Sequence, residues 1–349
     1  MGSIALGSGM ALGEHQVTND ALARVCDTSD EWIRERTGIA TRYYVKDGTT
    51  TSDLGVRAAK MALEDAKLAP SDIDYVVFAT MTPDYYFPGG GVLLQEKLGL
   101  GKIPTLDIRQ QCTGFIYGLQ VADALLRTKV AKRLLLVGAE VHSGFMPWRD
   151  HGVVFGTSDA KPTPEEYAFN TRYRDRTVLF GDGAGAVVLE WSDEERGLGT
   201  VALHSDGHYA EKLYVPSGFA FRPYISEEMI REGRHIPDMD GQRVFRMAVA
   251  KLPEVVHEVL AKSGHTLDDV KLLLAHQANL RLNEAVAKAL GLGEDRVYNN
   301  IQKYGNTTAA TIPILYDECR RAGRIKRGDL VCFVALGAGF HWGAALWRE

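Results

Sequence analysis

Asp74-Tyr-Val-Val-Phe-Ala-Thr80 and Val270-Lys-Leu-Leu-Leu-Ala-His276 are one pattern written twice: an apolar run of strand length that ends on a polar residue. A helix follows each and closes on Gly-Leu, as Lys97-Leu-Gly-Leu100 in the first half and Lys288-Ala-Leu-Gly-Leu292 in the second. Next come a turn, Cys112-Thr113-Gly114 against Gly305-Asn306-Thr307, then a helix and a second apolar strand. Those strands read Arg133-Leu-Leu-Leu-Val-Gly138 and Asp329-Leu-Val-Cys-Phe-Val-Ala-Leu-Gly337. Cys112 follows Thr80 by 32 residues and Asn306 follows His276 by 30. Any two βαβ units share an outline. Matched strand ends, matched helix ends and near-equal spacings are better explained by duplication. Two such halves, residues 1–185 and 186–349, would bring Cys112, His276 and Asn306 together across a pseudo-twofold axis.

The rest of the chain repeats this rhythm. Strands are expected at 75–80, 105–108, 133–138, 186–190, 272–276 and 330–336, and helices at 53–66, 91–98, 113–128, 244–262, 282–290 and 310–321. Alternation of this kind predicts an α/β fold with a buried, mostly parallel sheet. The stretches 141–177 and 219–240 are irregular and rich in Pro, Gly and charge, as expected of caps, lids or subunit contacts.

Composition bounds the function. The 349 residues are 45% hydrophobic and 24% charged, the make-up of a globular protein with ample core. A net charge of -5 argues against nucleic-acid binding. No run of about 18 apolar residues predicts a membrane span, and the start shows no secretory signal pattern. Four scattered cysteines (Cys26, Cys112, Cys319, Cys332) read as reduced thiols of a cytoplasmic protein.

Of these, Cys112 has the company that chemistry needs. It stands where a strand turns into an amphipathic helix, and free N–H groups at a helix mouth favour a thiolate nucleophile. His276 ends an apolar strand and is followed by Gln277, Asn279 and Arg281, at a junction where α/β sheets place ligands. A lone histidine there is more often a satisfied core residue; the neighbours shift that balance. Asn306 offers a neutral N–H donor after a glycine turn. The three supply a nucleophile and two donors for an enolate or oxyanion. In Leu336-Gly-Ala-Gly-Phe-His-Trp-Gly343 the small residues would let the Ala338 N–H join that of Cys112 in an oxyanion hole, although a glycine bulge explains them equally well. Gly181-Asp-Gly-Ala-Gly-Ala186 precedes a strand instead of a helix, so it fails as a phosphate loop. His204 and His208 lack partners at ligand spacing, and no metal site is expected.

Together these residues resemble the β-ketoacyl-acyl-carrier-protein synthase III condensing enzymes of the thiolase superfamily. The similarity runs from about Ile4 to the C-terminus, through Asp27-Thr-Ser-Asp-Glu-Trp-Ile33, Arg36-Thr-Gly-Ile39, the Cys112 loop, Gly181–Ala186, His276–Arg281, Tyr304–Thr308 and Gly337–Gly343. The resemblance implies a layered αβαβα thiolase-like fold and a decarboxylative condensation of an acyl-CoA primer with a malonyl thioester, through an acyl-Cys112 intermediate. It implies activation of the extender by His276 and Asn306, and CoA contacts from Thr28, Trp32, Arg36, Phe245, Asn279 and Arg281. Phe87 and Leu336 would belong to the acyl pocket, Phe87 reaching that of a partner subunit in a homodimer. Acyl carrier protein would be a partner; CoA and phosphopantetheine thioesters would be substrates, with no cofactor. From the residues alone, Trp32 is equally a half-buried helix anchor.

The chain departs from the family pattern in about two dozen extra residues within 141–177 and several more within 219–240. Gln242 replaces a usual asparagine, Leu336 a phenylalanine and Ala338 a glycine. Arg149 and Arg176 are both candidates for the arginine that would face the adenine across Trp32. Phe145, Met146, Trp148, Val153, Val154 and Phe155 are expected to bury against the acyl pocket, the dimer partner or both, favouring a primer longer than acetyl. Alternatives are a specialised synthase of secondary metabolism that joins longer chains, and a Cys/His/Asn hydrolase. The absence of a glutamate in Pro83-Asp-Tyr-Tyr-Phe-Pro88 counts against non-decarboxylative relatives. The mid-chain position of Cys112 counts against the hydrolase.

Overall fold

The computed structural model describes residues 2–349. One sheet orders its strands Gly2–Leu12, Gly183–Ser192, Arg133–Glu140, Tyr75–Ala79 and Thr105–Ile108. The other orders Gly197–Ser205, His341–Arg348, Leu330–Gly337 and Val270–Ala275. In this order the two sheets match strand for strand. Tyr75–Ala79 pairs parallel with Arg133–Glu140, as Val270–Ala275 does with Leu330–Gly337, and the other pairings shared by the two sheets are antiparallel. Where the first sheet ends in parallel Thr105–Ile108, the second keeps only a parallel bridge between Leu273 and Val297. Duplication is thus visible in the hydrogen bonding.

The strands are apolar on both faces because helices cover both faces. Helices Gly114–Arg127 and Thr311–Arg321 lie between the sheets. Phe115, Leu119, Leu315 and Tyr316 pack there with Leu134 and Leu136 of one sheet and Leu274 and Phe333 of the other. Helix Thr51–Ala66 covers the outer face of the first sheet, and Gly241–Ser263 with Leu280–Leu290 that of the second. The result is the expected αβαβα layering. No helix among the described residues is long and apolar enough to cross a membrane.

Three sequence expectations are corrected. Strand Gly183–Ser192 completes the first sheet by pairing with both Gly2–Leu12 and Arg133–Glu140, so the sheets divide between Ser192 and Gly197 instead of at residue 185. The turn equivalent to Gln111–Thr113 is Thr308–Ala310: each is a 3₁₀ turn that leads straight into the central helix, and each opens on a non-glycine residue at positive φ, 45° at Gln111 and 43° at Thr308. Ala309, not Asn306, is therefore the counterpart of Cys112. Finally, Met146, Trp148, Val153 and Val154 bury against Val17, Leu22, Ile33 and Tyr44, while Phe155 stacks on His15 at 4.0 Å. These side chains anchor the inserted segment to the N-terminal helices; of the six, only Phe145 lines the active cavity.

Candidate active site

Cys112, His276 and Asn306 open onto one cavity of about 1450 Å³. Each arrives from a different element. Cys112 is buried in the 3₁₀ turn at the mouth of helix Gly114–Arg127. Gly337 closes the floor beneath it: a Cβ there would stand 2.9 Å from the Cys112 backbone nitrogen, so only glycine lets the Ala338 backbone reach the cavity wall.

His276 directly follows strand Val270–Ala275, its N–H donating to the Val334 carbonyl (2.8 Å). Its Nδ1 lies 2.7 Å from the Thr311 hydroxyl, whereas Nε2 is buried with no protein partner. Asn306 is fixed by a backbone N–H to the Leu179 carbonyl (2.8 Å), after Gly305 at φ 65°. Its Oδ1 accepts the Thr308 N–H at 2.8 Å, which leaves the amide NH₂ as the free, donating end. The arrangement therefore offers a sulfur and two potential N–H donors with no internal partner, the requirement for holding a developing enolate oxygen.

The thiol departs from expectation. Burial, and after it the Glu140 carboxylate, push Cys112 up to about 12, so at neutral pH it is a thiol despite the helix mouth. Glu140 itself accepts from Thr80, Thr82 and Met81 at the strand ends beside the cavity. Burial still pushes it up to about 7. A carboxyl raised on folding holds its proton longer in the folded state than in the unfolded one. Its ionisation therefore weakens the fold as pH rises from about 4.5 to 7. Glu140→Gln lacks this ionisation. Its stability relative to the parent should climb by about 3 kcal/mol across that range, measured as urea midpoints at several pH values. A pH-independent difference would mean that Glu140 ionises normally.

The other expected residues divide into two groups. Trp32, Arg36, Phe87, Phe245, Asn279, Leu336 and Ala338 all line the cavity, Phe87 at its rim with 81% exposure. Thr28 and Arg281 do not. The Thr28 hydroxyl is buried without a partner, and Arg281 donates to the Glu35 and Arg34 carbonyls, pinning the end of helix Asp30–Thr37. Asn279 adds a bond to the Arg36 carbonyl and caps its own helix. Around Trp32 neither expected arginine is placed. Arg149 is 86% exposed and pairs with Glu166, and Arg176 pairs with Asp238. Arg174 takes the position, its guanidinium 4.8 Å from the ring centroid, with that of Arg36 at 4.6 Å.

Sequence reasoning missed Glu140 and a second buried histidine, His142, and placed Arg174 only with Arg172 and Arg176 near a CoA entrance, not against Trp32. Burial takes His142 down to about 4, and it lies 2.9 Å from the Thr308 hydroxyl. Glu140 was detectable as a carboxylate at the end of an otherwise apolar strand. No group of three or more His, Cys, Asp or Glu that could hold a metal occurs among the described residues.

Residues 106–161 and 166–207 match the family model of 3-oxoacyl-[acyl-carrier-protein] synthase III, and residues 260–349 match its C-terminal model. The β-ketoacyl-[acyl-carrier-protein] synthase III of Rhizorhabdus wittichii is 41% identical over 347 residues, 99% of each chain. Among solved structures, the 3-oxoacyl-[acyl-carrier-protein] synthase III of Aquifex aeolicus superposes with a TM-score of 0.85 at 36% identity, covering 100% of both chains. A priming β-ketosynthase of a polyketide pathway superposes at 0.86 with 30% identity, over 99% of this chain and 96% of its own.

Proposed function

The chain belongs to the β-ketoacyl-[acyl-carrier-protein] synthase III family of acyltransferase-type condensing enzymes, and we propose that it joins an acyl-CoA primer to malonyl-acyl-carrier-protein in fatty-acid biosynthesis. Cys112 attacks the primer thioester and CoA leaves as its thiol, carrying the thiol proton. The malonyl thioester then loses CO₂, and the enolate oxygen is held by His276 Nε2 and the Asn306 amide. The enolate carbon attacks acyl-Cys112, whose oxyanion meets the Cys112 and Ala338 N–H groups, and the Cys112 sulfur is expelled and reprotonated. Loss of CO₂ generates the carbanion, so no general base is required for the carbon–carbon bond. The observation that carries this reading is the single cavity in which a buried thiol faces the unpartnered Nε2 of His276 and the free NH₂ of Asn306. Its test is intact-protein mass spectrometry. An acyl-CoA should leave an acyl adduct, and malonyl-acyl-carrier-protein should discharge it as a β-ketoacyl product; release as free acid would favour a hydrolase.

Trp32 and Arg36 in the cavity wall, with Arg174 beside the same indole, suit a nucleotide, a base stacking on the indole and the guanidinium groups meeting phosphates. Arg174→Ala should raise KM for acyl-CoA about tenfold with kcat little changed. It should leave the kinetics with acyl-pantetheine, which lacks the nucleotide, unaltered. Equal losses for both substrates would place Arg174 outside nucleotide binding.

The finer features follow the same reading. Phe87, exposed with Tyr85 and Tyr86 beside the open edge strand Thr105–Ile108, supports a homodimer in which a second copy covers this face. The inserted segments support a primer longer than acetyl through the second of them. Tyr173 donates to the Glu232 carbonyl (2.8 Å) and Arg176 to that of Pro237 (3.1 Å). These bonds hold Pro237 and Met239 in the cavity wall, which Phe219 joins by packing on Tyr86 and Tyr224.

A further inference from the structure

Behind the His276 ring stands Thr311, the first residue of helix Thr311–Arg321, its hydroxyl oxygen 2.7 Å from His276 Nδ1 and 2.9 Å from the Thr308 carbonyl. The hydroxyl has one proton and two neighbours able to accept it. The neighbours are not equivalent. The Thr308 carbonyl already receives the backbone N–H of Thr311, whereas Nδ1 is buried and has no other partner. The surrounding groups do not alter the choice. His142 Nδ1 lies 2.9 Å from the Gly181 carbonyl, which can only accept, so His142 carries its proton there. Its Nε2 is then an acceptor for the Thr308 hydroxyl at 2.9 Å, a hydroxyl that the Glu140 carboxylate also faces. Whichever of the two takes the Thr308 proton, that hydroxyl does not reach His276, and the Thr311 hydroxyl is the group beside Nδ1.

The direction of that proton decides what His276 shows to the cavity. If Thr311 donates to Nδ1, a neutral imidazole carries its own proton on Nε2 and presents an N–H. If the hydroxyl turns to the Thr308 carbonyl, Nδ1 becomes the donor and Nε2 presents a bare lone pair, which repels an enolate oxygen. Protonating both nitrogens is not a way out, because burial, reinforced by His142, takes the ring down to about 3.

We propose that Thr311 is the positioning residue that holds neutral His276 in the tautomer with its proton on Nε2. This rests on the reading of His276 as the donor to the enolate. Thr311 touches neither substrate nor reacting atom; it acts through the ring.

The test uses full-length Thr311→Val and Thr311→Ser. Valine keeps the branched shape and removes the hydroxyl; serine keeps the hydroxyl. Loss of ¹⁴CO₂ from malonyl thioester should slow in Thr311→Val by about 10- to 100-fold, a part of what losing the donor outright costs. Thr311→Ser should restore it. Acylation of Cys112, read by intact mass, should be unchanged in both, which a general collapse of the site would not allow. The ring nitrogens of ¹⁵N-histidine-labelled wild-type protein should show Nε2 protonated and Nδ1 bare for His276, assigned by its absence in His276→Ala. A wild-type spectrum with the proton on Nδ1 overturns the proposal even if Thr311→Val does not fold. So does CO₂ release from Thr311→Val as fast as from Thr311→Ser. Undiminished release from His276→Ala would instead remove the donor role itself, whereas a slow His276→Ala beside a fast Thr311→Val would overturn Thr311 alone.

Discussion

Cys112→Ser should lower condensation by on the order of 10⁴-fold or more, with no acyl adduct visible by mass after exposure to acyl-CoA. The reason lies in what surrounds the nucleophile. A serine hydroxyl needs a base to become nucleophilic. Of the two imidazoles that line the cavity, His276 is taken down to about 3 by burial and has its Nδ1 tied to Thr311, while burial also lowers His341, whose Nδ1 lies 2.7 Å from the Ser205 hydroxyl. A thiol is intrinsically far more nucleophilic and loses its proton more readily. Serine is close in size and its hydroxyl would open onto the cavity, so the thermal midpoint should hardly move. Adduct formation at the wild-type rate in Cys112→Ser would show that another group carries the acyl chain.

His276→Ala and Asn306→Ala should each cut decarboxylation of the malonyl thioester by about 10²–10³-fold while leaving acylation of Cys112 intact. Both residues are buried, and each has one atom set aside for the site. His276 Nε2 has no partner, and the Asn306 NH₂ is freed because its Oδ1 is held by the Thr308 N–H. Neither makes a bond that the first half-reaction requires. Release of labelled CO₂ separates the two steps from each other. If both variants released it at the parental rate, the enolate would have to be stabilised elsewhere in the cavity.

Much of this site was legible because its parts sit at positions that sequence pattern marks. His276 ends an apolar run, Cys112 opens an amphipathic helix, and the repeat sets Cys112 and Asn306 at near-equal distances from the matched strand ends Thr80 and His276. The register of the repeat was legible only to within three residues, since Asn306 and Cys112 both stand in small-residue turns before a helix. The distinguishing mark, positive φ at Gln111 and Thr308, has no signature in side-chain type. Strand Gly2–Leu12 escaped notice because its glycines read as loop. Gly9 is needed where helix Thr51–Ala66 lies so close that a Cβ would stand 2.5 Å from the Ala58 carbonyl. The arginine beside Trp32 was hidden for another reason. It comes from an inserted segment with several arginines, and Arg174 is singled out only by the short helices that fold that segment back over Asp27. In the same way, apolar residues of the insertion announced that they are buried but not against what. A helix of the N-terminal region needed them more than the acyl pocket did.

The pairing of Gly2 with Ser192, and the seat of the Cys112 nitrogen on Gly337, set an order in time for the life of the molecule. As the chain emerges from synthesis, its opening strand has no partner until residues 183–192 exist, and such distant pairing makes for slow closure. The floor beneath the nucleophile is laid later still, by the last strand but one. Cys112 therefore spends nearly the whole of synthesis as an ordinary thiol, and enters its buried seat only when both halves are made and docked. Condensing activity is in this sense a certificate of completion: a truncated chain can carry the nucleophile, but not the His276 and Asn306 donors or the Ala338 wall that its chemistry needs.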